Sequence, residues 1–191
     1  MKNNDKRKEI MQAALELIAE HGFHGAPMAM IADKAGVAAG TIYRYFESKD
    51  VLITELYREL EEKLIAFLQD GYATSKPIRE RFLHIHASIL RFFIANPLYF
   101  RYIEQYMYSP FGIALKRDRL LGKSDEFDIL KSLFEEGIAQ QVLKELPLPL
   151  LIALAFGPLL VLIRDHILGL ISVDDVQIKQ IIEACWDGVK R

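Results

Sequence analysis

The chain has 191 residues, 51% of them apolar, with 11 Gly and 7 Pro, so it is a globular chain long enough for a proper core and not a disordered one. Its formal charge of −2, and a balance of seven Lys/Arg against seven Asp/Glu in residues 1–50, exclude a broad basic surface; any polyanion footprint must be local. A single Cys185 excludes an internal disulfide and fits a reducing compartment, and the charged opening MKNNDKRKEI lacks the apolar run of a secretory signal, which makes a cytoplasmic location the default expectation.

In chain order, Ile10, Ala14, Leu17 and Ile18 mark a helical stripe over residues 6–20 that ends before Gly22. Its basic start, Lys2, Lys6, Arg7 and Lys8, is a candidate phosphate neighbour. Residues 27–34 form the next helix, with Pro27 suited to an initial helical position. Gly36 then reverses the chain and Val37 plugs the corner. Ile42 and Phe46, four apart, give a second short helix its buried face, and the small Ala38, Ala39 and Gly40 open it for close approach. Thr41, Tyr43, Arg44 and Tyr45 are left pointing outward. Hydroxyls, phenols and a guanidinium make poor core, but they suit phosphates and base edges. The pattern predicts a helix-turn-helix.

Residues 23–56 closely resemble the DNA-binding domain of TetR (tetracycline-repressor-like) transcriptional regulators. The landmarks are Gly22-Phe23, Ile31-Ala32, Ala35-Gly36-Val37, the run Gly40-Thr41-Ile42-Tyr43-Arg44-Tyr45-Phe46, Lys49 and Leu52. The resemblance implies that Met28, Ala39, Gly40, Thr41, Tyr43, Arg44, Tyr45 and Lys49 face DNA. It also implies phosphate-binding hydroxyls where this chain has Pro27, Met28 and Ala38. Lys49 has the wrong sign for a helix start. It faces a phosphate, as the resemblance implies, or pairs with Glu47 or Asp50.

Ser48 caps a long helix through Leu52, Leu56, Leu60 and Leu64 to Gly71, and GYATSKP (71–77) is the clearest internal break. Residues 78–95 carry Phe82, Ile85, Ile89, Phe92 and Phe93 at helical spacing up to Asn96-Pro97. The aromatic segment 98–108 follows, then a short helix or loop, then a helix over 125–143. Leu146 to Ile163 holds 18 residues without a charge, near spanning length. Its three prolines and the Arg164-Asp165-His166 that follows favour a buried or subunit-facing helix over 148–170, kinked at Gly157-Pro158. Asp174 or Asp175 begins the last helix. Helices apolar on most sides need partners on most sides, so a homodimer through residues 148–189 is expected.

No constellation of catalytic or metal-ligating residues stands out. The imidazoles of His84-x-His86 fall on different helix faces, and Cys185 has no partner thiol. Neither an enzyme, a metal nor a cofactor is expected. The aromatic supply between residues 82 and 134 exceeds what core filling requires. The resemblance places a ligand cavity there. Candidate ligand contacts are Phe67, Phe82, His86, Ile89, Phe93, Tyr102, Tyr106, Phe127, Phe134 and Ile163, with His86 and Tyr106 as the polar ones, for a hydrophobic or aromatic effector such as one with an acyl chain.

The expected architecture is all-α: a three-helix DNA-binding domain (1–48) and a helical ligand-binding and dimerisation domain (49–191). The expected function is a ligand-responsive regulator, a repressor released from a palindromic double-stranded operator by its effector. The alternative is a helical small-molecule sensor whose DNA-binding head is weakened. The rhythm beyond residue 56 resembles the family only in length, helicity and the Phe156-Gly157 to Gly169 segment.

Overall fold

The computed structural model describes residues 2–120 and 129–191. They form α1 (Lys2–Gly25), α2 (Met28–Lys34), α3 (Ala39–Ile42), α4 (Lys49–Gln69), α5 (Ile78–Ala95), α6 (Pro97–Tyr108), α7 (Pro110–Leu120), α8 (Ile129–Ala139), α9 (Leu148–Ile167) and α10 (Asp175–Val189). The only β pairing among them is one isolated bridge, Leu143 to Lys190. The expected all-α architecture is what is found.

The chain divides into two compact units, residues 1–63 with 96–124, and residues 64–95 with 125–191. This division does not follow the expected boundary at residue 48, because α6 and α7 pack with the N-terminal helices. In the first unit, Ile10, Ala14 and Ile18 of α1 meet Ile31 of α2, Ile42, Phe46 and Leu52 in a fully buried core. α1 breaks at Gly22, whose φ of 75° is open to glycine. That break leaves carbonyls without helical donors, and other elements supply them. Gln105 Nε2 of α6 donates to Ile18 O at 3.0 Å, and Lys49 Nζ donates to Phe23 O. Tyr102 OH, also from α6, donates to Ile53 O of α4 at 2.7 Å, and the Tyr106 ring stacks on Tyr57 at 3.9 Å. Burial raises the Tyr102 phenol, so it remains a donor.

The second unit is built on α5, which buries Phe82, Ile85, Ile89, Leu90, Phe92 and Phe93. Arg81, 2% exposed, reaches Glu136 of α8 at 2.5 Å and the Tyr72 hydroxyl at 3.0 Å, so its buried charge is matched. Gly137 lets Leu143 pack closely: a Cβ there would stand 2.6 Å from Leu143 Cδ1, which would have to shift. α10 opens on Asp174, which accepts from Val176 N and Gln177 N while Gln177 Oε1 accepts from Asp174 N, a full capping box. α9 runs as one helix across Pro158 to its C-cap Leu168, and Gly169 (φ 72°) turns the chain after it, with Leu170 N donating to Asp165 O.

α9, charge-free up to Ile163, is not a buried helix within this chain. It is long and apolar enough to cross a membrane, but only 28% of that apolar window is buried. Leu150, Leu154, Val161 and Leu168, at spacings of 4, 7 and 7, are 45–56% exposed and form a stripe along one face.

Candidate nucleic-acid interface

The first unit positions a short corner between α2 and α3. Met28, Ile31, Ala32 and Ala35 turn inward from α2, and Gly36 at φ 63° reverses the chain. Gly36 N donates to Asp33 O and Val37 N to Ala32 O, which closes the turn. α3 is a single turn opened by Thr41 N donating to Ala38 O at 2.7 Å, and bonds of the same three-residue span, from Arg44 N to Thr41 O at 3.1 Å and from Tyr45 N to Ile42 O at 3.0 Å, continue it. Ile42 and Phe46 anchor it with no exposed surface at all. What remains outward is Ala39, Gly40, Tyr43 and Arg44, with Thr41 half-buried.

The expected DNA-facing residues divide on this geometry. Ala39, Gly40, Tyr43 and Arg44 are exposed, and Arg44 has no ion-pair partner among the described residues. Tyr45 packs half-buried against the core. Met28 is a correction: it is 8% exposed and belongs to the core, because it shares the inward face of α2 with Ile31 and Ala35. Lys49 pairs with neither Glu47 nor Asp50; one of its protons goes to Phe23 O, and desolvation lowers its pKa, with Asp50 opposing. Pro27 sits one place earlier than expected, at the N-cap of α2 with ψ 153°, and neither it nor Ala38 supplies a side-chain cap. Ser48 does cap α4, accepting from Val51 N at 3.2 Å.

The expected ligand contacts divide as well. Phe67, Phe82, His86, Ile89, Phe93, Phe134 and Ile163 lie in the second unit, whereas Tyr102 and Tyr106 lie in the first, in the core around α4. Phe127 lies outside the described residues. Phe82, Phe134, Phe156 and Trp186 form one edge-packed cluster, and Phe67, Phe92 and Phe93 another, with ring centroids 5.4 Å apart.

His86 sits fully buried between the Phe82 ring at 3.7 Å and the Phe156 ring at 4.4 Å. Its Nδ1 lies 2.8 Å from Phe82 O and its Nε2 3.1 Å from Ala155 O. A neutral imidazole has one N–H, so it donates to one carbonyl and turns a lone pair to the other. Burial lowers its pKa to about 4, against two carbonyl contacts that raise it. Unfolding restores a pKa of about 6.5, so the unfolded chain binds the extra proton first. His86 therefore contributes stability above pH ~6.5 that is lost as pH falls toward 4, up to about 3 kcal/mol. His86→Gln should flatten the acid limb of a stability-versus-pH curve. An unchanged limb would assign it to other groups.

Tight helical corner, apolar inward faces and an outward guanidinium with flanking phenol and hydroxyl define a helix-turn-helix protein of the nucleic-acid-binding type. The comparisons make this specific. Residues 10–56 match the family described as bacterial regulatory proteins, tetR family, and residues 77–190 match the tetracyclin repressor-like C-terminal domain. The chain belongs to the TetR family of transcriptional regulators.

Among its relatives is an HTH-type transcriptional regulator of Haemophilus influenzae, 31% identical over 106 residues, a match spanning 56% of this chain and 57% of that protein. The structure of a putative TetR-family transcriptional regulator from Vibrio parahaemolyticus is 32% identical, covers 97% of this chain and 99% of its own, and superposes with a TM-score of 0.77. The transcriptional regulator FadR from Bacillus subtilis, solved in complex with stearoyl-CoA, shares the fold at 22% identity and TM-score 0.75, over 95% of this chain and 98% of its own.

Two features of the site escaped the sequence reading. Gln105 closes the broken end of α1 from far along the chain, and no local pattern signals that. Met30 is 44% exposed on α2, and the helical period would have found it, since it lies off the Met28–Ile31–Ala35 face.

Proposed function

We propose that this regulator is a ligand-responsive repressor acting as a homodimer on a palindromic operator. The observation that carries the reading is the exposed surface of α3 and the turn after it, where Arg44 has no ion-pair partner among the described residues and Thr41 and Tyr43 flank it on a turn anchored by Ile42 and Phe46. Arg44 serves as the bidentate reader of a base pair, and Thr41, Tyr43 and Lys49 hold phosphates. The exposed apolar stripe of α9 supports dimerisation with α10 beside it, which would set two heads at a fixed spacing over successive major grooves.

The effector is a hydrophobic molecule entering the aromatic clusters around α5. The fold neighbour solved with stearoyl-CoA makes a long-chain acyl thioester the first compound to test. It acts by binding more tightly to the state in which the heads are wrongly spaced.

The test is fluorescence anisotropy with DNA from upstream of the protein's own coding region, with competitor DNA present. Sequence-selective binding by a dimer, released by the acyl thioester, is the expected result. Arg44→Ala should weaken that binding by about 1–3 kcal/mol and leave thermal stability unchanged, since the side chain is exposed. Equal, weak binding to every duplex would support the sensor with a weakened head, a reading favoured by the absent side-chain caps at Pro27 and Ala38.

A further inference from the structure

The surface that the starts of α2 and α3 leave to solvent is apolar, whereas the end of α2 exposes Asp33 and Lys34. Pro27, Ala29 and Met30 are exposed at the start of α2, and Ala38, Ala39 and Gly40 at the start of α3. Met30 at 44% and Tyr43 at 54% are the large hydrophobic residues exposed between residues 5 and 63, and both belong to this corner. A head that hides its other large apolar side chains has a use for these two.

The cations of the head are meanwhile largely engaged. Lys6 pairs with Glu9, Arg7 with Glu55 and Lys34 with Glu16, and Lys49 donates to a carbonyl. Among the described Lys and Arg residues between 5 and 50, Lys8 and Arg44 have no such partner and Lys49 keeps two N–H donors for a phosphate, so the corner offers methyl and methylene surface beside one outward guanidinium. A duplex presents one apolar group on its base edges in the major groove, the C5-methyl of thymine.

We infer that Met30, Ala39 and Tyr43 read thymine methyl groups, so that each half-site is recognised by apolar contact with thymines flanking the base pair read by Arg44. The inference rests on the DNA-binding reading above. Ala39 and Gly40 suit it because a side chain of one carbon or none lets the helix start come within contact distance of a methyl. Met30 suits it because a flexible thioether follows an irregular apolar surface.

The experiment selects binding sites for the full-length protein from a random duplex library. Each enriched thymine is then replaced by deoxyuridine, which keeps every hydrogen-bonding group and removes only the methyl. The expected result is binding weaker by about fourfold for each contacted methyl. In Met30→Ala, which removes an exposed side chain and leaves the core intact, that loss should disappear at one thymine of each half-site. An enriched site whose deoxyuridine forms bind as tightly as the thymine form would overturn the inference alone. No enriched sequence would overturn the DNA-binding reading with it.

Discussion

Leu154→Glu with Val161→Glu should leave the chain monomeric at micromolar concentration and lower operator affinity by about a hundredfold or more. The two residues stand seven apart on α9, within the exposed stripe of Leu150, Leu154, Val161 and Leu168. In the proposed dimer each carboxylate would lie in an apolar interface with nothing to pair it, at a cost of several kcal/mol per buried charge. In the isolated chain both carboxylates would stay in water, so folding should survive. Without its partner, a single head loses the effective concentration, about millimolar, that tethering gives the second half-site contact. Sedimentation velocity and operator titration read the two effects separately. A variant that still sediments as a dimer and still binds its operator would remove α9 from the interface.

Gly112→Ala should destabilise the protein by about 3 kcal/mol, at the upper end for an overpacked site. A Cβ at this position would stand 2.2 Å from Tyr106 O and 2.6 Å from Met107 Cα, and both are backbone atoms that no rotamer change can move. The corner between α6 and α7 is already cinched by Ser109 Oγ, which donates to Tyr106 O at 2.6 Å and accepts from Gly112 N at 3.3 Å. Because Tyr106 stacks on Tyr57, a shifted corner disturbs α4 as well. Urea unfolding checks the expectation. A midpoint equal to that of the parent chain would show that the corner has room.

The turn and second helix of the motif are legible in the sequence because their signals are local. Gly36, Ile42 and Phe46 impose the turn and one face whatever lies elsewhere, and Ser48 caps its helix from three residues away. Asp174 and Gln177 likewise carry their own capping geometry within one turn. Tyr102 and Tyr106 show where such reading stops: helical period reveals that a face is buried but not what covers it. Their rings serve the core beside α4 and not the aromatic clusters around α5. The family resemblance points Met28 outward, at a position that usually bears a hydroxyl, whereas its own period places it with Ile31 and Ala35. The charge of Lys49 suggests only a nearby anion, whereas the carbonyl that accepts from it is 26 residues away, freed by the break at Gly22. For α9, composition showed the apolar surface, and only the fold could show that this chain leaves much of it uncovered.

The missing caps on α2 and α3 bear on how the head behaves over time. Helices of seven and four residues are far below the length that sustains a helix alone, and neither has a side chain closing its first turn. Their amide hydrogens are therefore held by the inward packing of Met28, Ile31, Ala32, Ile42 and Phe46 and by the bonds of the turn, not by caps. A brief loosening of that small core exposes both helices together, at a lower free energy than opening α1 or α4. Amide exchange in the free protein is therefore expected to run faster in α2 and α3 than in α1 or α4. A bound duplex slows it most at those same residues, so the reading surface acquires part of its order from the DNA it recognises.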